Sequence, residues 1–417
     1  MAWSFSGNAV YAATQLLVAV VIARLGDNVM LGQYALGLAV AAPMVLLASL
    51  SLRTVLVTDS SEKHPVREYV LLRAVGMCAA LCLVGAVALA VYWPDSAAVV
   101  VVLVGTAKAV DGMTDLFVGV LQRREMMREV AVSWMVNGTL TALFMTVLLS
   151  RDHGIVSAVG GSVLASLCSL AYCIHTVWRP SYGPAWWRAA GRTLTEVRSL
   201  APGLTSLART AAPLGAASCV TSLTANVPRY VVGHSEGAGG LGVFSAVGYA
   251  ALAANVAIMA VAQTVLPRMA RLHASGRLCE LRRLVARLLA GAGVFSVLAT
   301  AGCLVLGGRA LELLYGSGYR SYGPVLALLI LAVGVGAACF FLDAGLSAGH
   351  RFRSQLVVNI LALGMTLVSA SSLTALYGLS GAAWSVVISI LFQCLVKAAL
   401  FRRAVSPHRA AAGKVPR

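Results

Sequence analysis

Charge is what this 417-residue chain has least of. Asp, Glu, Lys and Arg make up 11% of it, where a water-soluble domain carries roughly 25%. Such a chain lacks the polar surface a water-facing fold needs, and its mean hydropathy of +0.85 says the same. Acidic residues are scarcest, 15 against 32 basic ones. The resulting formal charge of +17 would suggest nucleic acid only if it formed a basic patch on a soluble fold. Here the basic residues sit between apolar runs, which excludes that reading and points to membrane topology. The nine cysteines and seven histidines show no ligand spacing; Cys78 and Cys82 lie inside an apolar run and read as small buried side chains. The segment Met1 to Gly7 has no basic stretch, so no cleavable signal peptide is expected and the first helix should remain a span. Polar loops are short as well, the longest outer one being about 307–320. A lipid-linked glycosyltransferase or polysaccharide polymerase would need a larger extramembrane loop or catalytic acids near an interface, so an enzyme is not expected.

What the chain does have is apolar runs near the 20 or so residues that a membrane helix needs. They fall at 7–24, 32–52, 69–93, 97–121, 129–149, 154–177, 208–233, 239–266, 284–306, 321–346, 352–376 and 378–401, the last two divided only by Tyr377-Gly378. The reading is an all-α polytopic membrane protein of about twelve helices. Lys and Arg set its orientation. With the N-terminus inside, the cytoplasmic segments hold 23 of them, from Arg53 to Arg417, and the outer loops hold only Arg24, Arg151, Arg309 and Arg320. Both termini are therefore expected on the cytoplasmic side of the inner (cytoplasmic) cell membrane.

The chain also carries an internal repeat. Leu31-Gly32-Gln33-Tyr34-Ala35 returns as Leu241-Gly242-Val243-Phe244-Ser245. At the same offset, 242 − 32 = 210, Arg53-Thr54-Val55-Leu56 meets Gln263-Thr264-Val265-Leu266. Two matched blocks at one interval indicate two six-helix halves of the same topological sense. The expected organisation is a first lobe at 1–177, a linker at 178–207, a second lobe at 208–401 and a basic tail at 402–417. In the linker Arg188, Arg192, Glu196 and Ser199 share one helical face, which predicts an amphipathic helix on the cytoplasmic surface.

Three motifs give the chain a family likeness. Ala23-Arg24-Leu25-Gly26 precedes Gly32-Gln33-Tyr34-Ala35; Leu313-Leu314-Tyr315-Gly316-Ser317-Gly318-Tyr319 precedes Pro324-Val325-Leu326; and Gly349-His350-Arg351-Phe352-Arg353 forms a short basic turn. In order and spacing, over nearly the whole chain, they resemble the polysaccharide-export branch of the multidrug/oligosaccharidyl-lipid/polysaccharide flippase superfamily, the Wzx-like lipid-linked oligosaccharide flippases. The chain departs from the pattern in lacking the basic stretch that usually precedes the first helix. The resemblance implies two six-helix lobes in a V around a central cavity that opens alternately to each side, as in the MATE transporters. It implies a cargo of undecaprenyl-pyrophosphate-linked oligosaccharide moved from inner to outer leaflet, with a polysaccharide polymerase or glycosyltransferases as partners. A cation-coupled drug exporter shares the fold and is the alternative.

A pyrophosphate and a hydrated sugar tolerate no hydrocarbon, so ionisable residues inside the spans are the candidates. Lys108, Asp111 and Asp115 fall within about a 60° sector of one helix, and Ser222, Asn226 and Arg229 share a stripe on another. Lys108 and Arg229, one from each half, are read as a pyrophosphate clamp. Equally, Lys108 and Asp111 are three apart and would neutralise one another, and Arg229 would snorkel to headgroups. Arg53 and Arg73, at the cytoplasmic mouth, are candidates for receiving phosphate or plain orientation signals. Asp111, Asp115 and Asp343 are the candidates for coupling to Na⁺ or H⁺, and no other cofactor is expected. Amides such as Asn137 and Asn359 suit sugar hydroxyls or helix-to-helix hydrogen bonds. A drug/cation antiporter would instead want an acidic cavity with few cations, which Lys108 and Arg229 oppose.

Overall fold

The computed structural model describes residues 2–58, 64–179, 197–255, 275–348 and 352–404, with isolated positions between 258 and 272. The expected amphipathic helix with Arg188 and Arg192, the repeat block from Gln263, the turn at 349–351 and the tail beyond 404 lie outside the described residues. The chain divides into two compact units, Met1–Ser222 and Leu223–Arg417.

The first unit is a bundle of α1 (Ala2–Leu25), α2 (Asn28–Ser49), α3 (Leu52–Thr58), α4 (Val66–Tyr92), α5 (Ser96–Arg123), α6 (Met127–Ser150) and α7 (Gly154–Trp178), joined by the first part of α8 (Val197–Ser235). Helix starts are set locally: the Asp27 carboxylate accepts from the Met30 N–H at 2.6 Å, and Asp95 accepts from Ala97 N–H at 3.3 Å, each taking up a donor the helix leaves open. Helix α5 is central and packs on α2, α3, α4, α6 and α7. Between apolar helices in lipid there is little hydrophobic drive, so close backbone approach holds the bundle. Glycines supply it on both sides: a Cβ on Gly105 would meet Val84 Cγ1 at 2.7 Å, and one on Gly37 would meet Val104 Cβ at 2.9 Å.

One break matters for the site. The run expected as a single helix over 32–52 stops at Ser49, and Leu50 and Ser51 both take left-handed backbone, with φ of 49° and 50°. That conformation costs a non-glycine residue about 1–2 kcal/mol. The chain resumes as the short α3, so Arg53 rides on a separate segment lodged against α5, where the missing side chain of Gly119 leaves room for its Cγ.

The second unit holds the rest of α8, then α9 (Gly237–Leu252), α10 (Leu278–Tyr315), α11 (Gly323–Ala348) and α12 (Phe352–Ala404). Helix α11 packs on α9, α10 and α12. The tyrosine-rich motif has a plain structural role here. Gly316, at φ 107°, ends α10 where a side chain would be strained. Tyr315 is buried and donates from its hydroxyl to Ala246 O at 2.9 Å, tying α10 to α9. The two repeat blocks sit in matching places, one turn into α2 and one turn into α9, both buried.

Among the described residues nine helices are long and apolar enough to cross a membrane, against the twelve expected. One of the nine, Gln355–Arg402, runs for 48 residues and holds both runs expected at 352–376 and 378–401, joined across a kink at Gly378 (φ 56°, ψ −136°). Helix α8 is not among them, being less apolar than the others, and α9 ends at Leu252 with 16 residues. Most of the expected linker, 180–196, lies outside the described residues, and the division between units falls inside α8. Its first part belongs to the first unit because Leu207 and Ala211 join the cluster around Leu52, Leu56 and Leu121, and Ser218 and Ser51 share a hydrogen bond of 3.1 Å.

Helix α4 offers a paired test of the close-approach argument. A Cβ on Gly76 would meet the Ala48 carbonyl oxygen at 2.4 Å, while one on Gly85 would meet nothing within 4 Å. Gly76→Ala is expected to lower the thermal midpoint of the purified protein, because α2 and α4 must part. Gly85→Ala should be neutral or raise it, since alanine is favoured over glycine in a helix by roughly 0.5–1 kcal/mol.

Candidate functional site

Five of the eight candidate residues come together in the first unit. A cavity of about 470 Å³ is lined by Arg73, Lys108, Asp111, Asp115, Trp134 and Asn137, among others. Helix α5 brings Lys108, Asp111 and Asp115 to it on the face the helical spacing implies.

Two charge clusters reach this cavity, one through Arg73 and Asp115 and the other through Lys108 and Asp111. In the first, Asp115 stands between two arginines: Arg53 Nη1 donates to Asp115 Oδ1 at 2.7 Å and Arg73 Nη2 to Oδ2 at 3.5 Å. Arg53 is otherwise well held. Its Nε and Nη2 donate to Gln122 Oε1 at 3.2 and 2.9 Å, and its guanidinium lies 5.7 Å from the Trp134 ring centre, a favourable placement for a cation. Arg73 is not. It is 1% exposed, and its Nε and Nη1 find no hydrogen-bond partner among the described residues. A buried donor left unmet costs about 1–3 kcal/mol, more when charged.

In the second cluster Lys108 Nζ donates to Asp111 Oδ2 at 2.8 Å. The other oxygen of Asp111 accepts from Asn137 Nδ2 at 2.9 Å and Ser166 Oγ at 2.7 Å. The pair thus neutralises itself, the plainer of the two readings its spacing allowed, and Asn137 serves here as a helix-to-helix hydrogen-bonding amide. Across the two clusters three cations, Arg53, Arg73 and Lys108, meet two carboxylates. Arg53 is not among the cavity-lining residues, and those that are, Arg73, Lys108, Asp111 and Asp115, balance in charge.

The remaining candidates lie in the second unit. Arg229 Nη1 donates to Asn226 Oδ1 at 3.0 Å and its guanidinium is 5.8 Å from the Tyr249 ring centre; it has no carboxylate partner among the described residues. Asp343 is paired with Lys397, whose Nζ reaches Oδ2 at 2.8 Å and Gln393 Oε1 at 3.4 Å. Each of the three carboxylates considered for cation coupling therefore has a basic side chain beside it. Sequence reasoning misses three residues: Gln122, which fixes Arg53; Trp134, which faces it; and Lys397, which passes for an orientation signal at a helix end. Gln122 lies seven residues from Asp115 on α5, a spacing that puts both on one face.

A family model described as "Polysaccharide biosynthesis protein" matches residues 1–273, well over half the chain. The chain belongs to that family. Over 391 residues it is 24% identical to the capsular polysaccharide biosynthesis protein CapF of Staphylococcus aureus, covering 93% of this chain and 94% of that one. The fold of this family member is shared with solved membrane transporters. It is similar to an inward-facing multidrug resistance MATE family transporter of the MOP superfamily at a TM-score of 0.74 and 11% identity, covering 97% and 96% of the two chains. It is similar also to the lipid II flippase MurJ in its inward closed conformation, at 0.72 and 13%, covering 97% and 88%. The likeness drawn from the three sequence motifs thus holds: this is a multi-pass membrane protein of the MOP superfamily fold, in a polysaccharide biosynthesis family.

The Lys108–Asp111 pair gives a stability test. Removing one partner of a buried pair costs about 3–5 kcal/mol, and the side chains here are 27% and 23% exposed, which puts the loss at the low end. Lys108→Met is expected to depress membrane abundance and the thermal midpoint. Adding Asp111→Asn, which still accepts from Asn137 and Ser166, should restore most of both.

Proposed function

We propose that this protein is a flippase for polyprenyl-pyrophosphate-linked oligosaccharide, carrying it from the inner to the outer leaflet of the cytoplasmic membrane by alternating access. The observation that carries the reading is Arg73, a buried guanidinium on the cavity wall whose Nε and Nη1 donors are unmet. Arginine's planar fork matches phosphate oxygens, and an anionic, hydrated headgroup needs such a path through hydrocarbon. Arg53 and Arg73 are the phosphate-binding residues in this proposal. Lys108 is already paired with Asp111; in the second unit Arg229 and Asn226 are the candidates for the headgroup in this proposal, and the glycan would be supplied and consumed by glycosyltransferases and a polysaccharide polymerase. The flippase MurJ and the capsular protein CapF support the cargo class by similarity.

An inside-negative potential drives anions outward by about 2.3 kcal/mol per charge per 100 mV, and a dianion gains roughly twice that. Direction therefore needs no coupling ion. Coupling to Na⁺ or H⁺ through Asp111, Asp115 or Asp343 would have to displace the basic partner each already has. The cation-coupled drug exporter is the second reading, favoured by the MATE-like fold and opposed by the basic partner that each candidate carboxylate already has.

Arg53→Gln and Arg73→Gln, brought to wild-type abundance, are expected to cut translocation of lipid-linked oligosaccharide in proteoliposomes at least tenfold. Wild-type rates in the double variant would end the proposal. Imposed Na⁺ or pH gradients should leave the wild-type rate unchanged; a dependence that disappears in Asp343→Asn would instead identify a coupling site. For orientation, a membrane-impermeant thiol reagent applied to whole cells is expected to label Arg320→Cys and spare Arg123→Cys in a cysteine-free background.

A further inference from the structure

We infer that Asp115 is an exchangeable counter-ion: it occupies the two arginines while the site is empty, and the pyrophosphate of the cargo displaces it. The inference rests on the flippase reading and concerns how that same site releases what it binds. Three observations carry it. First, Asp115 satisfies the arginines unequally, at 2.7 Å to Arg53 and 3.5 Å to Arg73, and leaves Arg73 Nε and Nη1 unmet. One carboxylate offers two oxygens, whereas a diphosphate offers more and can serve both guanidinium forks.

Second, Arg53 does not need Asp115 to keep its place. Gln122 holds two of its nitrogens, Trp134 lies beside its guanidinium, and Gly119 gives its stem room. The receiving group is therefore already oriented when the carboxylate leaves. Third, Arg73 lines the cavity yet is 1% exposed, while the Asp115 side chain is 41% exposed. Arg73 has almost no free surface of its own, whereas Asp115, its ion-pair partner, lines the same cavity and has open space in which to move.

The physical consequence is a trade. With Asp115 in place, each bound anion must displace a resident one, which weakens binding. The same carboxylate returns when the cargo leaves, which speeds release. Two bare arginines would bind pyrophosphate more tightly and let it go more slowly.

The test uses the full chain in phosphatidylcholine nanodiscs, with inorganic pyrophosphate as the binding probe read by calorimetry. The same variants in proteoliposomes report translocation of lipid-linked oligosaccharide. Asp115→Asn, which keeps the shape and removes the charge, is expected to bind pyrophosphate at least tenfold more tightly than wild type and to turn over at least fivefold more slowly. Arg73→Gln should lose pyrophosphate binding in either background. Unchanged or weaker binding by Asp115→Asn, or tighter binding with undiminished turnover, overturns the exchange. If Arg73→Gln still loses binding in those cases, the phosphate-site reading survives alone. Pyrophosphate binding by neither wild type nor Asp115→Asn would end both. Should Asp115→Asn fail to fold, infrared difference spectra of wild-type protein labelled with ¹³C-aspartate decide the matter. Pyrophosphate is expected to shift an aspartate carboxylate band, and an unmoved spectrum under saturating ligand overturns the exchange.

Discussion

A charge placed among membrane helices must be met by an opposite charge or a hydrogen bond, because the surrounding hydrocarbon offers neither. The first unit is arranged around that constraint. Asp115 takes Arg53 from α3 and Arg73 from α4, and Asp111 takes an amide from α6 and a hydroxyl from α7. All of these bonds end on α5, so the helix that carries the acidic groups is also the one the others pack around. Packing and electrostatics agree here: the glycine-lined crossings that bring α2 and α4 close to α5 also bring the partners within reach.

The two clusters solve the constraint differently, and the difference is what gives the site chemistry. The Lys108–Asp111 cluster is closed, with the Lys108 ammonium on one oxygen and both neutral donors on the other. The Arg53–Asp115–Arg73 cluster is open, with two cations on one carboxylate and donors left over. A closed cluster contributes to stability and uniqueness. An open one keeps donors without partners, and on those the proposed anion site rests. The second unit holds a simple ion pair at Asp343–Lys397 and leaves Arg229 leaning on an amide and a ring.

Much of this could be read from the residues. Hydropathy placed helices over most of the chain because the bilayer imposes one length and one polarity on any span. The repeat at an offset of 210 put matching blocks on α2 and α9, where both are buried. Helical spacing put Lys108, Asp111 and Asp115 on one face of α5. It could not show where the run 32–52 breaks, because two left-handed residues at Leu50 and Ser51 carry no glycine or proline to announce them. The two spans that α12 joins across Gly378 are separable in the sequence, because Tyr377-Gly378 interrupts the apolar run where the helix kinks.

Residue order alone establishes that the chain is built of membrane-spanning helices, which of them carry charge, and which side chains share a helix face. These follow from short-range periodicity and from the cost of polar groups in lipid. Tertiary structure alone decided the pairing: that Asp115 belongs to Arg53 and Arg73, residues 62 and 42 positions away, that Asp343 belongs to Lys397, and that Arg73 is left with unmet donors. Pairing depends on which helices meet and at what depth, and no local pattern in the chain records that.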